Sequence, residues 1–388
     1  MAKTPHVALL IETSHGYGRA LLQGIMHYLR RYGPWSLYFQ PHGLEARPPD
    51  WLKVWQGDGI LVRVEDRAMA RAVCQTGLPA VNLRVPFPDL PLPVVGLNNP
   101  ALGELAFRHL CDRGFKHFAF CGIPGGRYPW MDERRESFEK AVRDSGGACH
   151  TFVTTWRRKQ PPSWEEEQNQ VAAWIGTLPK PVGLMAGNDD RGLEVLEACH
   201  RAGVLVPDEV AVIGCDNDEF LCNLSNPPMS SISPNAQRIG YEAAALLDRL
   251  MAGARPPTQP LLLPPGIVVA RESTDVLATD DRELAAAIRY IREHACEGLR
   301  LKDFFKTSRL SRRELERRVR TLLGRSPKEE MIRVQIERAK QLLTETKLPA
   351  TAIAEKCGFS QPKYFSQVFH ARVGLPPGAY RRAQVKPN

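Results

Sequence analysis

The sequence predicts an α/β body of two similar lobes, followed by an all-α segment that carries two helix-turn-helix units. Three observations carry this expectation. Roughly the first 275 residues alternate short apolar or β-branched runs with amphipathic helical stretches, the pattern of a parallel sheet covered by helices. The alternation comes as two series in tandem, which suggests a cleft between lobes at the C-terminal ends of the strands. The positive charge is gathered at one end: from Asp280 to Asn388 there are 24 Lys/Arg against 13 Asp/Glu, and before that 28 against 30. A basic end on a near-neutral body is the footprint of a nucleic-acid module attached to something else.

In chain order, the first series of strands is VALLI from Val7, WSLYFQ from Trp35, GILVRV from Gly59, AVNL from Ala80 and VVGLN from Val94. The second is HFAFCG from His117, HTFVT from His150, VGLMAGN from Val182 and VAVIGCD ending at Asp216. Helices such as RALLQGIMHYLRRYG, ALGELAFRHLCDRG and DDRGLEVLEACHRAG lie between them and close with a Gly near the end. QRIGYEAAALLDRLMAG and the apolar run LLLPPGIVVARES are expected to return the chain to the first lobe. Pro and Gly cluster at candidate crossings, in FPDLPLP, SNPPMSSISP and ARPPTQP, as suits a hinge of several strands. The body is thus expected over residues 1–277, with one lobe at about 1–115 and 235–275 and the other at about 116–234. A short polar linker, STDVLATDDREL, leads into the basic segment at 278–388.

Composition narrows the function classes. With 388 residues, 43% hydrophobic and 24% charged, the chain has ample material for two or three cores. MAKTPHVALLIETSHG lacks the pattern of a secretory signal, and no apolar run approaches the roughly 20 residues that span a bilayer. Nine scattered cysteines without knuckle spacing read as small buried hydrophobes in a reducing cytoplasm. No GxSxG elbow, P-loop or HExxH is present, and GIPGGR from Gly122 reads as an ordinary turn. His15 and His42 have no partner spacing that argues for a metal. No enzyme activity, cofactor or metal is therefore expected. The alternatives are a thiol or other small-molecule sensor, with Cys215 and Cys222 beside Asp216, and an α/β enzyme fused to a DNA-binding module.

The basic segment contains SRRELERRVRTLLG from Ser311 and SQPKYFSQVFHARVG from Ser360, each behind a short apolar helix and a turn, with Gly358 at the second bend. In the first, Arg312, Arg313, Glu316, Arg317 and Arg320 share one helical face, with Leu315, Val319 and Leu322 expected inside. Arg pairs bidentately with guanine and Glu accepts from cytosine, so this face has base-reading chemistry. In the second, Phe359, Phe365 and Phe369 are the expected core. Ser311, Ser360 and Ser366 are cap or phosphate-contact candidates. EEMIRVQIERAKQLLTET joins the units through a seam of Ile332, Ile336, Ala339 and Leu343, fixing their separation to suit successive major grooves. Arg333, Arg338 and Lys340 are phosphate contacts or solvated charges.

These residues carry a resemblance. KTSRLSRRELERRVRTLLGRSP, ERAKQLL and ATAIAEKCGFSQPKYFSQVFHARVGLPPGAYRR resemble an AraC-type DNA-binding domain. GCDND, the NDD stretch at Asn188 and RRESFEKA resemble a LacI-type, type I periplasmic-binding-protein-like sugar sensor. The fusion implies a sugar-responsive, cytoplasmic transcription regulator: a homodimer that binds operator DNA, an activator of a pentose operon working with RNA polymerase, with an effector such as D-xylose. By position, Arg313, Glu316 and Arg317 match the family's base-reading sites, and Pro362, Lys363 and Gln367 take the corresponding places in the second unit, where Pro362 cannot donate a hydrogen bond. For the sugar, the resemblance points to Asp189 and Asp216 at strand ends and to Arg134 at a helix start. Glu12, Thr13, Ser14 and Tyr17 follow the first strand and are expected on the opposite wall, and Trp130 is a stacking candidate. Asn98 or Asn99 stands after VVGL, where relatives commonly carry Asp then Asn, so Asn98 departs from the family.

Overall fold

The computed structural model describes residues 4–43, 47–84, 91–123, 128–153, 162–279, 281–307 and 310–384. Parts of FPDLPLP, of GIPGGR and of the strand candidate from His150 lie outside the described residues. The chain divides into two compact units, Met1–Cys111 with Phe115–Val276, and Asp112–Gly114 with Leu277–Asn388.

The larger unit begins with β1 (His6–Leu10), α1 (Gly16–Tyr32), β2 (Ser36–Phe39), β3 (Gly59–Val62), α2 (Arg67–Gln75), β4 (Ala80–Asn82) and β5 (Val95–Leu97). The second series is α3 (Asn99–Cys111), β6 (His117–Gly122), α4 (Pro129–Asp144), β7 (Cys149–Val153), α5 (Trp164–Thr177), β8 (Val182–Ala186), α6 (Asp189–Arg201), β9 (Val210–Cys215), α7 (Glu219–Leu224) and β10 (Ser230–Ile232). The unit closes with α8 (Ala236–Met251), β11 (Leu261–Leu263) and β12 (Val268–Val269).

One sheet has the order β2-β1-β3-β4, all parallel, and the bridge Asn82–Val94 links it to the parallel pair β5-β11. The other has the order β12-β10-β9-β8-β6-β7, parallel except for β12. GILV in β3 and VAVIGC in β9 are buried at every position, as central parallel strands covered on both faces must be. Helix α1 turns Leu21, Ile25 and Tyr28 inward, and Gly33, at φ 123°, ends it. Its Gly24 lies against the Gln237 carbonyl and Gly240 of α8 against the Leu21 carbonyl, so these helices cross with no room for a Cβ.

The lobe boundaries differ from the expected ones. Helix α3, expected in the first lobe, packs on the second, with Gly103 against Ser137 of α4 and Leu110 against Gly183 of β8. The run LLLPPGIVVARES is divided: β11 joins the first sheet, while β12 pairs with β10 in the second. Pro264 and Pro265 have no N–H to give a ladder and break the strand there. The lobes are thus joined at Asn98, at Ser233–Asn235 and at Pro264–Gly266. The crossings are tied together by Asn98 N–H to the Leu263 carbonyl at 2.8 Å and Ser233 N–H to the Ile267 carbonyl at 3.0 Å.

The smaller unit is all helical: α9 (Arg282–His294), α10 (Leu301–Thr307), α11 (Arg312–Leu323), α12 (Pro327–Glu345), α13 (Ala350–Lys356), α14 (Pro362–Val373) and α15 (Pro377–Gln384). Ile288, Ile291, Leu315 and Val319 form one core, and Ile336, Leu343, Ile353, Phe365 and Phe369 another. Helix α12 carries the buried seam Ile332, Ile336, Ala339 and Leu343 into the second core. Leu323, not the expected Leu322, is the third buried residue of α11, because it falls on the same stripe as Leu315 and Val319 at helical spacing. Gly358 makes the second bend at φ 76°, a conformation that favours glycine.

Candidate effector cavity and DNA-binding surface

A narrow cavity opens between the two lobes, lined by Tyr17, Arg63, Arg84, Leu97, Asn99, Trp130, Arg134 and Asp216. Arg63, Arg84, Leu97 and Asp216 sit at or just beyond the C-terminal ends of β3, β4, β5 and β9; Tyr17, Asn99 and Trp130 come from the first turns of α1, α3 and α4, and Arg134 from the second turn of α4. This is the crevice that parallel strand order creates.

Arg134 is the fixed point of the second-lobe wall. Its side chain is 4% exposed and donates to the Gly187 carbonyl at 2.8 Å, to Asn99 Oδ1 at 3.0 Å and to Asp216 Oδ1 at 3.2 Å. Asn99 in turn donates to Glu133 Oε2 at 3.0 Å. The Trp130 ring lies 4.6 Å from the Arg134 guanidinium and 5.1 Å from that of Arg84. Its buried Nε1 finds no acceptor among the described residues. Asp216 at φ 113° and Asn217 at φ 46° hold left-handed backbone without being glycine, strain of the kind kept at ligand sites.

On the first-lobe wall, Arg63 sits 4.8 Å from the Tyr17 ring and pairs with Glu12, while Arg84 pairs with Glu65. Burial pushes the Glu12 carboxyl up, but hydrogen bonds from His15 and Ser14 and the Arg63 charge outweigh it and hold it at about 2.

Of the residues anticipated for the ligand, Tyr17, Trp130, Arg134 and Asp216 line the cavity. The others do not. Glu12 sits behind Arg63 and accepts from Ser14 Oγ at 2.9 Å and from His15 N–H at 3.0 Å. Thr13 meets its neighbours through its backbone, donating to the His42 carbonyl and accepting from Arg19 at 2.8 Å. Asn98 accepts from Ala101 N–H at 3.0 Å, which binds it to the first turn of α3, and its neighbour Asn99 takes the cavity position. Asp189 is fully buried behind the cavity, where it accepts from Asp218 N–H at 2.7 Å and from Ser231 Oγ at 2.6 Å. Burial and the nearby Asp216 carboxylate push its pKa upward. Asn188, not Asp189, caps α6.

Sequence reasoning missed Arg63, Arg84 and Asp218. Each Arg follows a buried strand directly, in GILVR and AVNLR, and an Arg at the end of an apolar run was the available signal. Asp218 joins the lobes: its Oδ2 accepts from Gly16 N–H at 2.8 Å and from Arg19 at 3.1 Å, and His15 stands 3.5 Å from Asp190 beside it. Cys215 and Cys222 are completely buried, and burial pushes both thiols well above their ordinary value, which leaves them inert.

In the smaller unit, Arg312, Arg313, Arg317 and Arg320 are exposed along α11 with Glu316 half-exposed among them. Arg312 donates to Glu316 at 2.9 Å and Arg317 to Glu314 at 2.8 Å. Ser311 caps the helix by accepting from Glu314 N–H at 3.2 Å. On α14, Pro362, Lys363, Ser366 and Gln367 are exposed. Gln361 rather than Ser360 is its N-cap, Pro362 takes the first helical position, and Ser366 Oγ bonds the Pro362 carbonyl at 3.0 Å. Of the α12 charges, Arg333 is half-buried against Glu330 at 2.8 Å. Arg338 and Lys340 meet Gln341 and Glu337 on their own helix.

A two-lobed α/β domain with a polar cavity at its hinge, followed by tandem helix-turn-helix units, defines a ligand-responsive, DNA-binding regulator of transcription. The description of a periplasmic binding protein-like domain matches residues 107–274, and that of a helix-turn-helix domain residues 306–383. The chain is 32% identical to the xylose operon regulatory protein of Escherichia coli K12, over 98% of this chain and 97% of that protein. It is 28% identical to the xylose operon regulatory protein of Haemophilus influenzae, over 97% of both. A solved structure of the xylose-binding transcription activator xylR superposes with a TM-score of 0.64 at 29% identity, over 99% of both chains. The chain belongs to the family of xylose operon regulatory proteins, sugar-responsive transcription regulators and not enzymes. No helix among the described residues is long and apolar enough to cross a membrane.

Proposed function

We propose that this chain is a cytoplasmic, homodimeric activator of a sugar-catabolic operon, in which a pentose-type ring held between the lobes raises affinity for operator DNA and so recruits RNA polymerase. The observation that carries this reading is the Arg134 clamp, which joins α3, α4 and the Asp216 loop around one cavity. Asp216 and Asn99 offer acceptors to ring hydroxyls, while Trp130 Nε1 and Tyr17 offer polar groups beside flat apolar faces. Asp189 acts from behind, holding Asp218 and Ser231 in place.

The sensing domain ends near Leu277, and the DNA-binding domain follows. Arg313, Glu316 and Arg317 read bases from α11, with Arg312 and Arg320 at its flanks. Lys363 and Gln367 read from α14, Ser366 lies toward the backbone, and Pro362 contributes shape without a donor. Regulation requires differential affinity: the sugar must bind the DNA-competent state more tightly than the other state.

Calorimetric titration of the full-length protein with D-xylose, L-arabinose and related sugars, followed by operator binding with and without the one that binds, tests the reading. A sugar that tightens operator binding supports it, and D216A then weakens that sugar's affinity. Operator affinity that no sugar alters would sink it.

A further inference from the structure

Helix α1 begins without a cap of its own. Its N-cap residue, His15, makes no side-chain hydrogen bond to the helix, and its first turn holds no acidic residue. The first amides of a helix have no intrahelical acceptor, and a carboxylate is the group best suited to meet them. Here that carboxylate comes from the other lobe: Asp218 Oδ2 accepts from Gly16 N–H at 2.8 Å. Arg19 of the same helix donates to that oxygen at 3.1 Å, while its guanidinium is held on its own lobe by the Thr13 and Ser14 carbonyls at 2.8 and 3.0 Å. Beside them, His15 Nε2 stands 3.5 Å from Asp190 Oδ2.

Asp218 is equally committed on its own side. Its Oδ1 accepts from Phe220 N–H at 3.1 Å, which caps α7, and its N–H donates to Asp189 Oδ2 at 2.7 Å. Gly16 leaves room for the approach, since a Cβ there would stand 2.6 Å from Asp218 Oδ2. Neither Asp218, Gly16 nor Arg19 lines the cavity. Gly16 directly precedes Tyr17, however, and Asp218 closely follows Asp216, so the contact fastens together the segments that carry one wall residue from each lobe.

We propose that Asp218 is a clasp that holds the lobes closed by capping α1 from the opposite lobe, and that it scales the affinity for the effector without touching it. This rests on the sugar-sensing reading above and adds a determinant of its threshold. A ligand that binds the closed form loses apparent affinity in proportion to the fraction of protein that is open. A broken clasp raises that fraction and weakens every sugar by the same factor, whereas loss of a residue that touches the ring affects different sugars unequally.

Two substitutions break the clasp from opposite sides. In D218N the amide has a single acceptor oxygen, which can cap α7 or meet Gly16 and Arg19 but not both. G16A leaves Asp218 in place and drives its carboxylate away. Calorimetric titration of the full-length variants with D-xylose, L-arabinose and related sugars is expected to show affinity about ten-fold weaker in each, with the ratio between any two sugars that bind unchanged. Operator affinity at saturating sugar is expected to match that of the native chain. Hydrogen exchange at the Gly16 amide is expected to be faster in D218N than in the native chain, and in the native chain to slow further when sugar is added. The comparison with and without sugar needs no variant and decides the matter should neither fold. Native sugar affinity in either variant, a changed ratio between sugars, operator affinity that saturating sugar fails to restore, or a Gly16 amide indifferent to sugar overturns the inference and leaves the sugar-sensing reading standing. Silence of the native chain toward every sugar overturns both.

Discussion

Arg134 reaches three acceptors on three different segments at once, which only a planar five-donor group can do from one position. R134A leaves the Asp216 carboxylate without its cation, and the loss of folding stability is expected to be about 3 kcal/mol by chemical denaturation. R134K should recover little of it, since an ammonium cannot span the three acceptors, and full recovery would show that charge alone matters there. Asp189 carries a prediction of opposite sign from the usual carboxylate. Its folded pKa is raised above the ordinary 3.8, first by burial and then by Asp216, so the folded state binds the proton more tightly than the unfolded one. That contribution is fully present below 3.8 and is lost as pH rises through the raised value. Melting temperature followed against pH should therefore decline over this window in the native chain, and D189N, which keeps an acceptor and a donor without a charge, should remove that part of the decline. An equal slope in D189N would show that other groups set the acid-side stability.

Among elements, the crossing of α1 on α8 depends on two glycines whose neighbours are backbone carbonyls, which cannot rotate away. G24A must push the helices apart, at a cost of about 1–3 kcal/mol in denaturant titration. Gly176, inside α5, is the contrasting case: a Cβ there meets open space, so G176A is expected to stabilise by about 0.5–1 kcal/mol through lost unfolded-state freedom. If the two substitutions give the same change, close packing is not what Gly24 provides. The second lobe is bound differently, since α3 crosses from one lobe to the other at Asn98 and packs against α4 rather than returning. Both cavity walls therefore meet at the start of α3, beside the clamp.

For the whole molecule, two tasks occupy separate surfaces: a polar cavity in one compact unit and two exposed helical faces in the other. R313A is expected to weaken operator binding by about 1–3 kcal/mol and relax preference at one base position while leaving sugar affinity unchanged. Electrophoretic mobility shift on the native and substituted operator, with calorimetry for the sugar, reads both quantities. A uniform loss across unrelated DNA sequences would instead assign Arg313 to phosphate contact.

The fold class was legible because periodicity and charge are local: apolar runs such as VAVIGC mark covered strands, and the stripe of Leu315 and Val319 marks a helix face. The helices of the two helix-turn-helix units were legible from their spacing for the same reason, as was the Ser311 cap of α11, whereas α14 is capped at Gln361 and not at the expected Ser360. The lobe boundaries were not, since which sheet β12 joins and which lobe α3 packs on depend on contacts between residues far apart in the chain. In the cavity, Arg134 and Asp216 could be placed from motifs at helix and strand ends, whereas Asp189 was drawn behind the wall by Ser231 and Asp218, partners that no local pattern announces. Arg63 and Arg84 lie twenty-one positions apart at the ends of neighbouring strands, and only parallel pairing of β3 with β4 brings them to one wall. Sequence determined what each segment is, because that information lies within a few residues. Tertiary structure decided which charges face each other, because electrostatics acts through space and not along the chain.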